Sequence, residues 1–525
     1  MRCSRLPVYP CLLPFMALLI LGSIGCGSGT TVTLPAAVLS PTANPLVAEY
    51  AVTVRPANAT AWVEFGTDTH YGRQTSQSLP TSKILQTLTV QVAGMKANTT
   101  YHIRGHVESA EGSWVDQDRT FTTGSIKGLQ GEKLGLPTIK VTQPNTGHTL
   151  APGVELFSSI QPGTCNINTG ACTPTLVMTF ATDLQGNIIW YYDQGSSFPF
   201  PIKALDNGHF IMNLGPAIRE IDLAGNTIRE LTIDEANQSL KNNGSSLTLG
   251  IFHHDMLVLP NGHWVVLSAT SKDFTDLPGY PGTTSVNGDV VVDFDPMGNV
   301  VWTWSAFDHL DVNRHLNGLP DWTHGNALVY LPDGNLLLSM RHQSWILKLD
   351  YQNGAGAGDV LWKLGAQGDF TLTGGDQSQW FFAEHNPNLL SSNGSQMTLA
   401  IMDNGDARLN PDGSVSNCGW VTIPGSPCYT RGTIFQADEA TKVATLQFEF
   451  FPGIFSFWGG TANQLSNGDM EFEFSASAGL VSASRIVEVT HTVNPELLWQ
   501  LDVTGENAYR AYRIPSLYPG VTWKQ

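Results

Sequence analysis

The sequence is poor in charge and lacks a basic surface. Only 14% of its residues are charged, and 45 acidic side chains outnumber 27 basic ones, which gives a net charge of −18. A nucleic-acid partner requires a basic patch that offsets such an excess. The composition therefore excludes nucleic-acid binding and fits a protein that is kept soluble outside the cytoplasm.

Sustained helical periodicity is absent too. Short apolar runs alternate with turn residues along the chain, which contains 52 Gly and 30 Pro. This pattern is typical of an all-β protein. At 525 residues the chain exceeds one ordinary domain, so we expect two domains.

The one long hydrophobic run is N-terminal. Arg2 and Arg5 precede an apolar run over residues 12–24, which is too short for a comfortable membrane span. The small residues before Cys26 resemble a bacterial lipobox, although plain secretion with ordinary cleavage stays open. We predict that residues 1–26 are a signal peptide of the lipoprotein type. The mature protein would be extracytoplasmic, in the periplasm or on the outer membrane, and would meet the membrane only through a lipid anchor.

Cysteine is scarce, with seven residues in all. Beyond the leader and Cys26, four remain in two close pairs, Cys165 with Cys172 and Cys418 with Cys428. Both pairs lie among Gly, Asn, Pro and Thr, and neither has the spacing of a zinc site. They predict two disulfides that staple loops in an oxidising compartment.

Two kinds of β pattern divide the rest of the chain. Residues 27–45 read as a linker, and residues 46–124 contain short alternating strands. Tyr101, which begins one strand shortly after the turn residue Asn98, resembles the tyrosine corner of fibronectin type III domains. Nothing in this region carries chemistry. We predict a small β-sandwich that acts as a spacer or packing domain.

A longer repeat follows over residues 130–525. One half-unit is an apolar strand, a turn that ends in glycine, and another apolar strand. Its copies centre on Asn207-Gly208, Asn261-Gly262, Asp333-Gly334, Asn393-Gly394 and Asn467-Gly468. The complementary half-unit ends in an aromatic-bearing strand and occurs six times. The repeat predicts a six-bladed β-propeller.

Histidine recurs in one structural slot of three neighbouring predicted blades. The innermost strand of a blade lines the central channel, and the loop before it faces one mouth. His253-His254, His324 and His385 occupy that loop in turn, and Thr461 has the same slot in the sixth blade. The imidazoles would therefore gather at one mouth, although only one of His253 and His254 can face inward.

A predicted hairpin brings a cation to the same mouth. Arg341 ends the strand that pairs with the strand after His324, close to Asn326, and strand alternation turns His342 away from the channel. An imidazole, an amide and a guanidinium suit a tetrahedral anion with a leaving oxygen. Two chemistries fit: the imidazoles hold a metal with an open position, or one imidazole attacks as a nucleophile.

These segments, in this order, resemble the bacterial arylsulfate sulfotransferases, a family of extracytoplasmic six-bladed propellers with an N-terminal β-domain. The resemblance covers about residues 130–525. The segments that carry it are His253-His254-Asp255 with Pro260-Asn261-Gly262, His324-Gly325-Asn326 with Met340-Arg341-His342-Gln343, Gly368-Asp369-Phe370, Phe382-Ala383-Glu384-His385, and the run from Met402 to Arg408.

The resemblance implies transfer of a sulfuryl group from a phenolic sulfate ester to a phenol, without a nucleotide sulfate donor or any other cofactor. The route would be ping-pong through a sulfohistidine on His385. Carried over by motif, the site residues are His385, His254, His324 and Arg341 as catalytic groups, with Asn326, Thr461 and His253 in substrate binding. A family disulfide near the mouth fits Cys418 and Cys428. Glu384 stands where the family often has glutamine, so its charge would orient His385 or raise its pKa.

Two other functions remain open at this point. A metal-dependent propeller hydrolase would use the same histidines, although the several Asp and Glu residues usual in such sites are missing. A non-catalytic surface module would use the propeller rim and the sandwich for binding. The natural donor and acceptor, the oligomeric state (a homodimer included) and the lipidation of Cys26 are not determined by the sequence.

Overall fold

The computed structural model describes residues 37–54, 59–78, 86–109, 112–128, 136–161, 176–195, 200–406, 408–410, 414, 416, 428–475 and 483–524. It confirms an all-β chain. The predicted leader, Cys26 and the first part of the predicted linker lie outside these residues. Neither helix within the described ranges has the length and apolar character to cross a membrane.

The first eight strands form two sheets. They are β1 (Ala37–Pro41), β2 (Ala48–Val54), β3 (Thr60–Gly66), β4 (Arg73–Gln74), β5 (Gln86–Val92), β6 (Thr100–Ser109), β7 (Gly112–Val115) and β8 (Arg119–Thr122). One sheet has the order β1-β2-β5; in the other, β4-β3-β6-β7 is joined by β8, which pairs with β6. The Tyr101 hydroxyl accepts a hydrogen bond from the Lys96 backbone N–H at 2.9 Å, the bond expected of a tyrosine corner. The assignment to the fibronectin type III family stays a prediction.

The remaining strands form six further sheets. In the first half they are β9 (Thr138–Thr142), β10 (Val154–Gln161), β11 (Leu176–Thr182), β12 (Ile188–Asp193), β13 (Ile202–Ala204), β14 (Phe210–Asn213), β15 (Ala217–Ile221), β16 (Thr227–Thr232), β17 (Phe252–Val258), β18 (Trp264–Leu277), β19 (Tyr280–Phe294) and β20 (Val300–Ser305). In the second half they are β21 (Gly325–Tyr330), β22 (Leu336–Met340), β23 (Trp345–Leu349), β24 (Val360–Leu364), β25 (Thr371–Leu372), β26 (His385–Asn393), β27 (Gln396–Asp403), β28 (Arg431–Asp438), β29 (Val443–Phe450), β30 (Thr461–Gln464), β31 (Met470–Phe474), β32 (Ala483–Val489), β33 (Leu497–Thr504) and β34 (Asn507–Ile514).

Helical segments are few and short. The two α-helices are α1 (Ile233–Asn242) and α2 (Ala306–His309). Single 3₁₀ turns cover Arg341–Gln343, Gln352–Gly354 and Gln377–Gln379.

Each of the six sheets is built mainly from consecutive antiparallel strands. The sheets β13–β16, β17–β20 and β21–β24 follow chain order; the next runs β25-β29-β28-β27-β26, and the last runs β30 to β33 with β9 added. The first has the order β12-β11-β10-β34, so the C-terminal strand completes the sheet that begins near residue 154. The leading strands β17, β21, β26, β30 and β34 are successive neighbours. We interpret the six sheets as propeller blades arranged around a central channel. Strands from both ends of the described chain complete the ring, because β34 joins the first blade and β9 joins the last.

The glycine turns of the repeat share one geometry. The N–H groups of Gly208, Gly262, Gly334 and Gly468 each donate to the carbonyl of the leucine three residues earlier. All four glycines have φ between 80° and 92°, a region that residues with a Cβ rarely occupy. This requirement explains why the repeat is readable in the sequence.

The N-terminal sheets and the ring share a core. One cluster of buried apolar residues includes Tyr50 and Phe65 from the N-terminal sheets, Trp190 and Met212 from the ring, and Trp523 from the C-terminal tail. Burial of apolar surface on both sides stabilises this junction.

Candidate active site

The strands that lead each blade depart from regular geometry where their histidines stand. His254 and His324 have φ of 56° and 49°, and His385 is flanked by Ala383 at 51° and Asn386 at 44°. The pairing register shifts within β17, β21 and β26 at these same places. Left-handed backbone in residues other than glycine is uncommon and concentrates at functional sites. Such irregularities re-aim a side chain away from the regular ladder.

His254 is the member of the tandem pair that meets the other rings. Its ring centroid lies 4.7 Å from that of His324 and 5.0 Å from that of Phe200. His253 lies on the other side, with Nε2 3.3 Å from Asp289 Oδ1 and Nδ1 2.9 Å from His254 Nδ1. His253 therefore contacts the cluster through His254 and Asp289.

His324 is held by carboxylates from two segments. Asp289 Oδ2, on β19, accepts from the hydroxyl of Thr323 and, at 2.6 Å, from the N–H of Gly325, so both neighbours of His324 are fixed. The ring itself has Nδ1 2.5 Å from Asp321 Oδ2. Asp289, on the long hairpin of β18 and β19, therefore fixes the backbone around His324, and Asp321, in the loop before β21, fixes the ring.

The structure corrects the prediction for His342. β22 ends at Met340, and Arg341–Gln343 is a 3₁₀ turn, so strand alternation does not apply there. His342 turns toward the cluster, with its ring centroid 4.5 Å from that of His324. Its Nδ1 lies 2.7 Å from the Asp321 carbonyl oxygen and its Nε2 lies 2.6 Å from Arg341 Nη1. Nδ1 therefore donates, and Nε2 accepts from the guanidinium.

Arg341 lies at the mouth as predicted and is mostly buried. Its N–H backbone group donates to the His324 carbonyl at 3.2 Å, which confirms that the hairpin joins these residues. Nη2 donates to Asp406 Oδ2 at 2.5 Å and to the Phe457 carbonyl at 2.8 Å. Three protein partners thus fix the plane of the guanidinium, while Nε has no hydrogen-bond partner within the described ranges.

Asp321, His324 and His342 form one group whose ligand atoms lie within 4.8 Å of one another, close enough to share a metal ion. The hydrogen bonds do not favour a metal there. Both nitrogens of His342 are engaged, and the Arg341 cation adjoins one of them. A positive charge at that distance opposes a second cation. The arrangement fits a hydrogen-bonded network better than a metal centre.

His385 is buried, and its tautomer is fixed by an asparagine. Its Nδ1 lies 2.8 Å from Asn404 Oδ1. The Asn404 amide nitrogen donates to the carbonyls of Ser456 at 2.9 Å and Gly459 at 3.1 Å, so the oxygen must face the imidazole. Nδ1 therefore carries the proton and Nε2 carries the lone pair. A long bond of 3.3 Å from the Gly459 N–H reaches Nε2.

The segment before His385 is fixed by the neighbouring blade. The Asn326 amide nitrogen donates to the Glu384 carbonyl at 2.6 Å, and the Ser339 hydroxyl donates to Glu384 Oε1 at 3.0 Å. Asn326 Oδ1 and Glu384 Oε2 are buried and have no partner in the described part of the chain. Asn326 thus links the strand that follows His324 to the nucleophile candidate.

Aromatic rings connect the histidines and line the site. Tyr509, on the closing strand β34, has its ring centroid 5.9 Å from that of His254 and 6.2 Å from that of His385. Trp458 stacks on Tyr509 at 5.8 Å, and Phe200 lies 6.3 Å from it. These rings form an apolar wall of the kind that packs against an aromatic substrate.

A second buried guanidinium lies next to this wall. Arg510 donates from Nη2 to the Asn326 carbonyl at 2.5 Å, and its Nη1 lies 3.6 Å from Asp255 Oδ2. Asp255 also pairs with Lys203 at 2.6 Å. Two cations therefore share one buried carboxylate within the ring.

Burial and these cations keep the two innermost histidines neutral. Burial lowers the pKa of His254 well below its usual value, and neighbouring imidazoles add to the effect. Burial and the charge of Arg341 lower the pKa of His385 in the same way, against the hydrogen bond to Asn404. Burial also lowers the pKa of His342, to about 3. Three imidazoles at this mouth are therefore free bases at neutral pH.

Glu384 is the opposite case. It is fully buried, and burial raises its pKa from 4.5 to about 8. The carboxyl is protonated at neutral pH and resembles the glutamine common in the family. The prediction that a charge on Glu384 raises the pKa of His385 is therefore wrong, because the group carries no charge at neutral pH and the pKa of His385 is lowered.

The remaining predicted residues are Thr461 and the four paired cysteines, some of which lie outside the described residues. Thr461 is buried at the start of β30, and its hydroxyl donates to the Ala511 carbonyl at 2.9 Å, which joins two blades. Its part in substrate binding stays a prediction. Cys428 is buried, whereas Cys165, Cys172 and Cys418 lie outside the described residues. The two disulfides stay predictions.

Several residues of the cluster are absent from the predicted set. They are Asp321, His342, Asn404, Phe200, Trp458, Tyr509 and Arg510. A sequence signal existed for Asn404, which lies in the run from Met402 to Arg408 that carries the family resemblance. Tyr509 and Arg510, on β34, gave no sequence signal, because the repeat does not reveal which strand closes the ring.

Comparisons with known proteins add a family. A model of the family "Arylsulfotransferase (ASST)" matches residues 161–513, about two thirds of the chain. This segment spans every described histidine of the cluster. No curated protein gives a significant match to the chain.

Solved structures with similar folds are distant. A streptogramin B lyase structure is 10% identical, covering 70% of this chain and 98% of its own, at a TM-score of 0.30. A member of the duf4221 family from Bacteroides vulgatus is 8% identical, covering 73% and 99%, at a TM-score of 0.29. MPT-1, a GDP-Man-dependent mannosyltransferase from Leishmania mexicana, is 14% identical, covering 48% and 78%, at 0.22. Similarities this low decide neither the fold nor the function.

Proposed function

The chain belongs to the arylsulfotransferase (ASST) family, and from that membership we propose that its channel mouth moves a sulfuryl group from an aryl sulfate to a phenol in two steps, through a sulfohistidine on His385. Family membership implies aryl sulfate and phenol substrates. The observation that carries the residue assignment is the hydrogen bond from His385 Nδ1–H to Asn404, which places the lone pair on Nε2, a nitrogen that otherwise accepts a long bond of 3.3 Å from the Gly459 N–H.

His385 suits a nucleophile on chemical grounds. A neutral imidazole attacks without prior loss of a proton, and burial keeps this one neutral. The Asn404 oxygen accepts from Nδ1 and favours the positive charge that develops on the ring when Nε2 bonds to sulfur. Because an amide cannot take the proton, the ring stays protonated at Nδ1 and the His385 imidazole remains a good leaving group from sulfur in the second step.

The charge of the transferring group falls on its three equatorial oxygens and on the departing phenolate. By analogy with phosphoryl transfer, positioning and fixed positive dipoles supply most of the catalysis. Among the described residues, Arg341 Nε has no hydrogen-bond partner, whereas both terminal nitrogens of its guanidinium are engaged. We assign it to the sulfuryl oxygens. Removal of such a donor typically raises the barrier by about 2.7–4 kcal/mol.

Asn326 and the aromatic wall would orient the two substrates. The unpaired Asn326 Oδ1 is a hydrogen-bond acceptor, which suits the O–H of an incoming phenol rather than an anionic oxygen. Tyr509, Trp458 and Phe200 supply ring surface beside the histidines. Thr461 and His253 complete the proposed binding set.

In the first half-reaction His385 Nε2 bonds to sulfur, the bond from sulfur to the aryl oxygen breaks, and the phenolate takes a proton from a second imidazole. In the second half-reaction the acceptor phenol returns a proton to that imidazole. The oxygen of the acceptor phenol then bonds to sulfur as the bond from sulfur to His385 Nε2 breaks, and His385 is free again. No metal takes part in either step.

The experiment is a transfer assay with the purified protein, an aryl sulfate donor, a phenol acceptor and EDTA. We expect release of the donor phenol and formation of the sulfated acceptor, at rates that rise with acceptor concentration and give parallel lines in a ping-pong plot. Release to water alone would identify a sulfatase, and loss of activity with EDTA would identify the metal-dependent hydrolase.

A pair of variants tests the nucleophile. His385→Ala should abolish transfer, whereas His491→Ala, a change at an exposed histidine outside the site, should leave it intact. Equal activity of His385→Ala and the wild type would reject His385 as the nucleophile, whereas a wild type without transfer activity would favour the non-catalytic module.

Location and domain organisation are further proposals. A lipidated Cys26, a linker over residues 27–45 and a sandwich domain over 46–124 would place the ring outside the cytoplasm. Membrane fractionation of the wild type against Cys26→Ser tests the anchor.

A further inference from the structure

The two-step transfer needs a proton donor for the departing phenolate, and the cluster offers two imidazoles besides the nucleophile. His254 and His324 lie 4.7 Å apart by ring centroid, so either could reach the same oxygen. Their surroundings differ, and the difference assigns the role.

His254 is surrounded by rings. Phe200 and Tyr509 lie at 5.0 Å and 5.9 Å by ring centroid, and Nδ1 faces another imidazole, that of His253, at 2.9 Å. Burial lowers its pKa well below the usual value. An imidazole in this setting has no anion to support a second proton, so it serves as a neutral hydrogen-bonding group.

His324 has a carboxylate partner. Nδ1 lies 2.5 Å from Asp321 Oδ2, a charge-assisted geometry that fixes Nδ1–H and leaves Nε2 to face the cluster. Burial raises the pKa of Asp321, but the hydrogen bond and charge of His324 outweigh it, and the pKa falls well below its usual value. Asp321 is therefore ionised throughout the physiological range.

We infer that Asp321 is a positioning residue that makes His324 the proton donor to the departing phenolate and the proton acceptor from the incoming phenol. This inference rests on the proposed sulfuryl transfer. In the first half-reaction the proton moves from His324 Nε2 to the aryl oxygen as its bond to sulfur breaks. In the second half-reaction the acceptor's O–H returns that proton to Nε2. Asp321 keeps its negative charge throughout and loses no bond.

The charged and titratable neighbours agree with this assignment. The turn after β22 presents the Arg341 cation and a neutral His342. The carboxylate of Asp321 directly opposes that cation, and Asp406 pairs with Arg341 from the other side at 2.5 Å. Asp289 fixes both flanks of the ring. Asp321 therefore supplies a negative charge beside His324, the one imidazole that must carry a proton in this mechanism.

A substitution at Asp321 should also leave the packing of the core unchanged. Its side chain is half exposed, and asparagine has the same shape, so Asp321→Asn removes the charge with little change in packing. The variant keeps a carbonyl oxygen for the Nδ1–H bond. It therefore removes the support for the imidazolium more than the position of the ring.

The test compares two donors in one protein preparation. A phenyl sulfate releases a weakly acidic phenol that needs a proton, whereas a 4-nitrophenyl sulfate releases a more acidic phenol that does not. For Asp321→Asn we expect kcat/KM for phenyl sulfate to fall by about 10²–10³-fold and that for 4-nitrophenyl sulfate to fall by less than about tenfold. The ratio of the two values cancels any loss of folded protein.

Matched variants sharpen the result. Asp273→Asn makes the same charge change at an exposed position on the long hairpin and should leave the ratio unchanged. Asp321→Glu, which keeps the charge, should restore part of the phenyl sulfate rate. His324→Gln should change the ratio as Asp321→Asn does, and the double variant should be no worse than His324→Gln alone.

Equal losses on both donors, or no loss on phenyl sulfate, would overturn the inference and leave the proposed function in place. Wild-type protein that releases neither phenol would remove the proposed function itself, and the inference with it.

Discussion

The channel mouth and the junction with the N-terminal sheets are both buried, yet they treat polar groups in opposite ways. At the mouth, four buried side-chain atoms have no hydrogen-bond partner among the residues that the structure describes: Asn326 Oδ1, Arg341 Nε, Glu384 Oε2 and Asp406 Oδ1. Each such group destabilises the folded protein by about 1–3 kcal/mol. Several of them together therefore indicate a region that is not optimised for stability.

The junction satisfies its polar atoms. The Asn44 amide donates to the Tyr191 carbonyl at 2.8 Å, and the Trp523 indole donates to the Gln74 carbonyl at 2.9 Å. The Tyr518 hydroxyl donates to the Gln91 carbonyl at 2.8 Å and accepts from the N–H of Ala93 at 2.6 Å. The comparison teaches that burial alone does not distinguish the two regions, whereas the unpaired donors and acceptors around the histidines at the mouth do.

The largest expected effect is on the junction. Trp523 is buried, packs edge-on against Phe65 at 5.9 Å and lies under Arg73. Trp523→Ala should destabilise the protein by about 3–5 kcal/mol, because it opens a cavity and removes the indole bond. Urea unfolding at 25 °C measures it, and kcat per folded molecule should be unchanged. A large fall in kcat with normal stability would break the comparison.

Arg341→Lys comes next and affects the mouth. Lysine keeps the charge but cannot bond His342, Asp406 and Phe457 in one plane. We expect kcat/KM to fall by about 10²–10³-fold, which corresponds to about 2.7–4 kcal/mol of barrier, with little change in unfolding free energy. Arg229→Lys, where the guanidinium stacks on Trp264 at 3.7 Å away from the mouth, is the matched control. Comparable activity losses in both variants would contradict the assignment.

Two asparagines offer the sharpest contrast. Asn404→Ala should lower kcat by about 10–100-fold, because His385 loses the group that fixes its tautomer. Asn44→Ala, at the junction, should instead cost about 1–3 kcal/mol of stability and leave kcat unchanged, because it leaves the Tyr191 carbonyl unpaired. Steady-state kinetics and urea unfolding of both variants separate the effects. An exchange of the two outcomes would refute the comparison.

Glu384→Gln should produce the smallest effect, and it depends on pH. Folding holds a proton on Glu384 up to about pH 8, whereas the unfolded chain loses it near 4.5. Wild-type stability therefore falls as pH rises through this window, and glutamine avoids that loss. Relative to the wild type, the variant should gain about 1 kcal/mol between pH 7 and pH 8. Unfolding at both pH values measures it, and a constant difference would show that Glu384 is already ionised.

Much of the fold follows from local chemistry that the sequence displays. The glycine turns at Gly208, Gly262 and Gly334 recur because each requires a positive φ, and the strands between them alternate or run apolar. The strand that closes the first blade could not be predicted, because the pairing of β34 with β10 joins residues more than 300 positions apart and no local pattern records it.

The site was predictable where two strands of one hairpin met. His324 and Arg341 are brought together by such a hairpin, and His254, His324 and His385 share one slot of successive blades. The contacts that depend on backbone irregularity could not be read. The 3₁₀ turn at Arg341–Gln343 sends His342 toward the cluster, and the amide orientation of Asn404 is set by carbonyls more than 50 residues away.

The central claim is that His385 carries the sulfuryl group between two aryl oxygens, and its most direct test is mass spectrometry of the protein stopped in alkali during turnover of an aryl sulfate without acceptor. The account predicts the added mass of one SO₃ group on the peptide that contains His385, its loss on addition of a phenol, and its absence in His385→Ala. Turnover that proceeds with no label, or with the label on another residue, would contradict it.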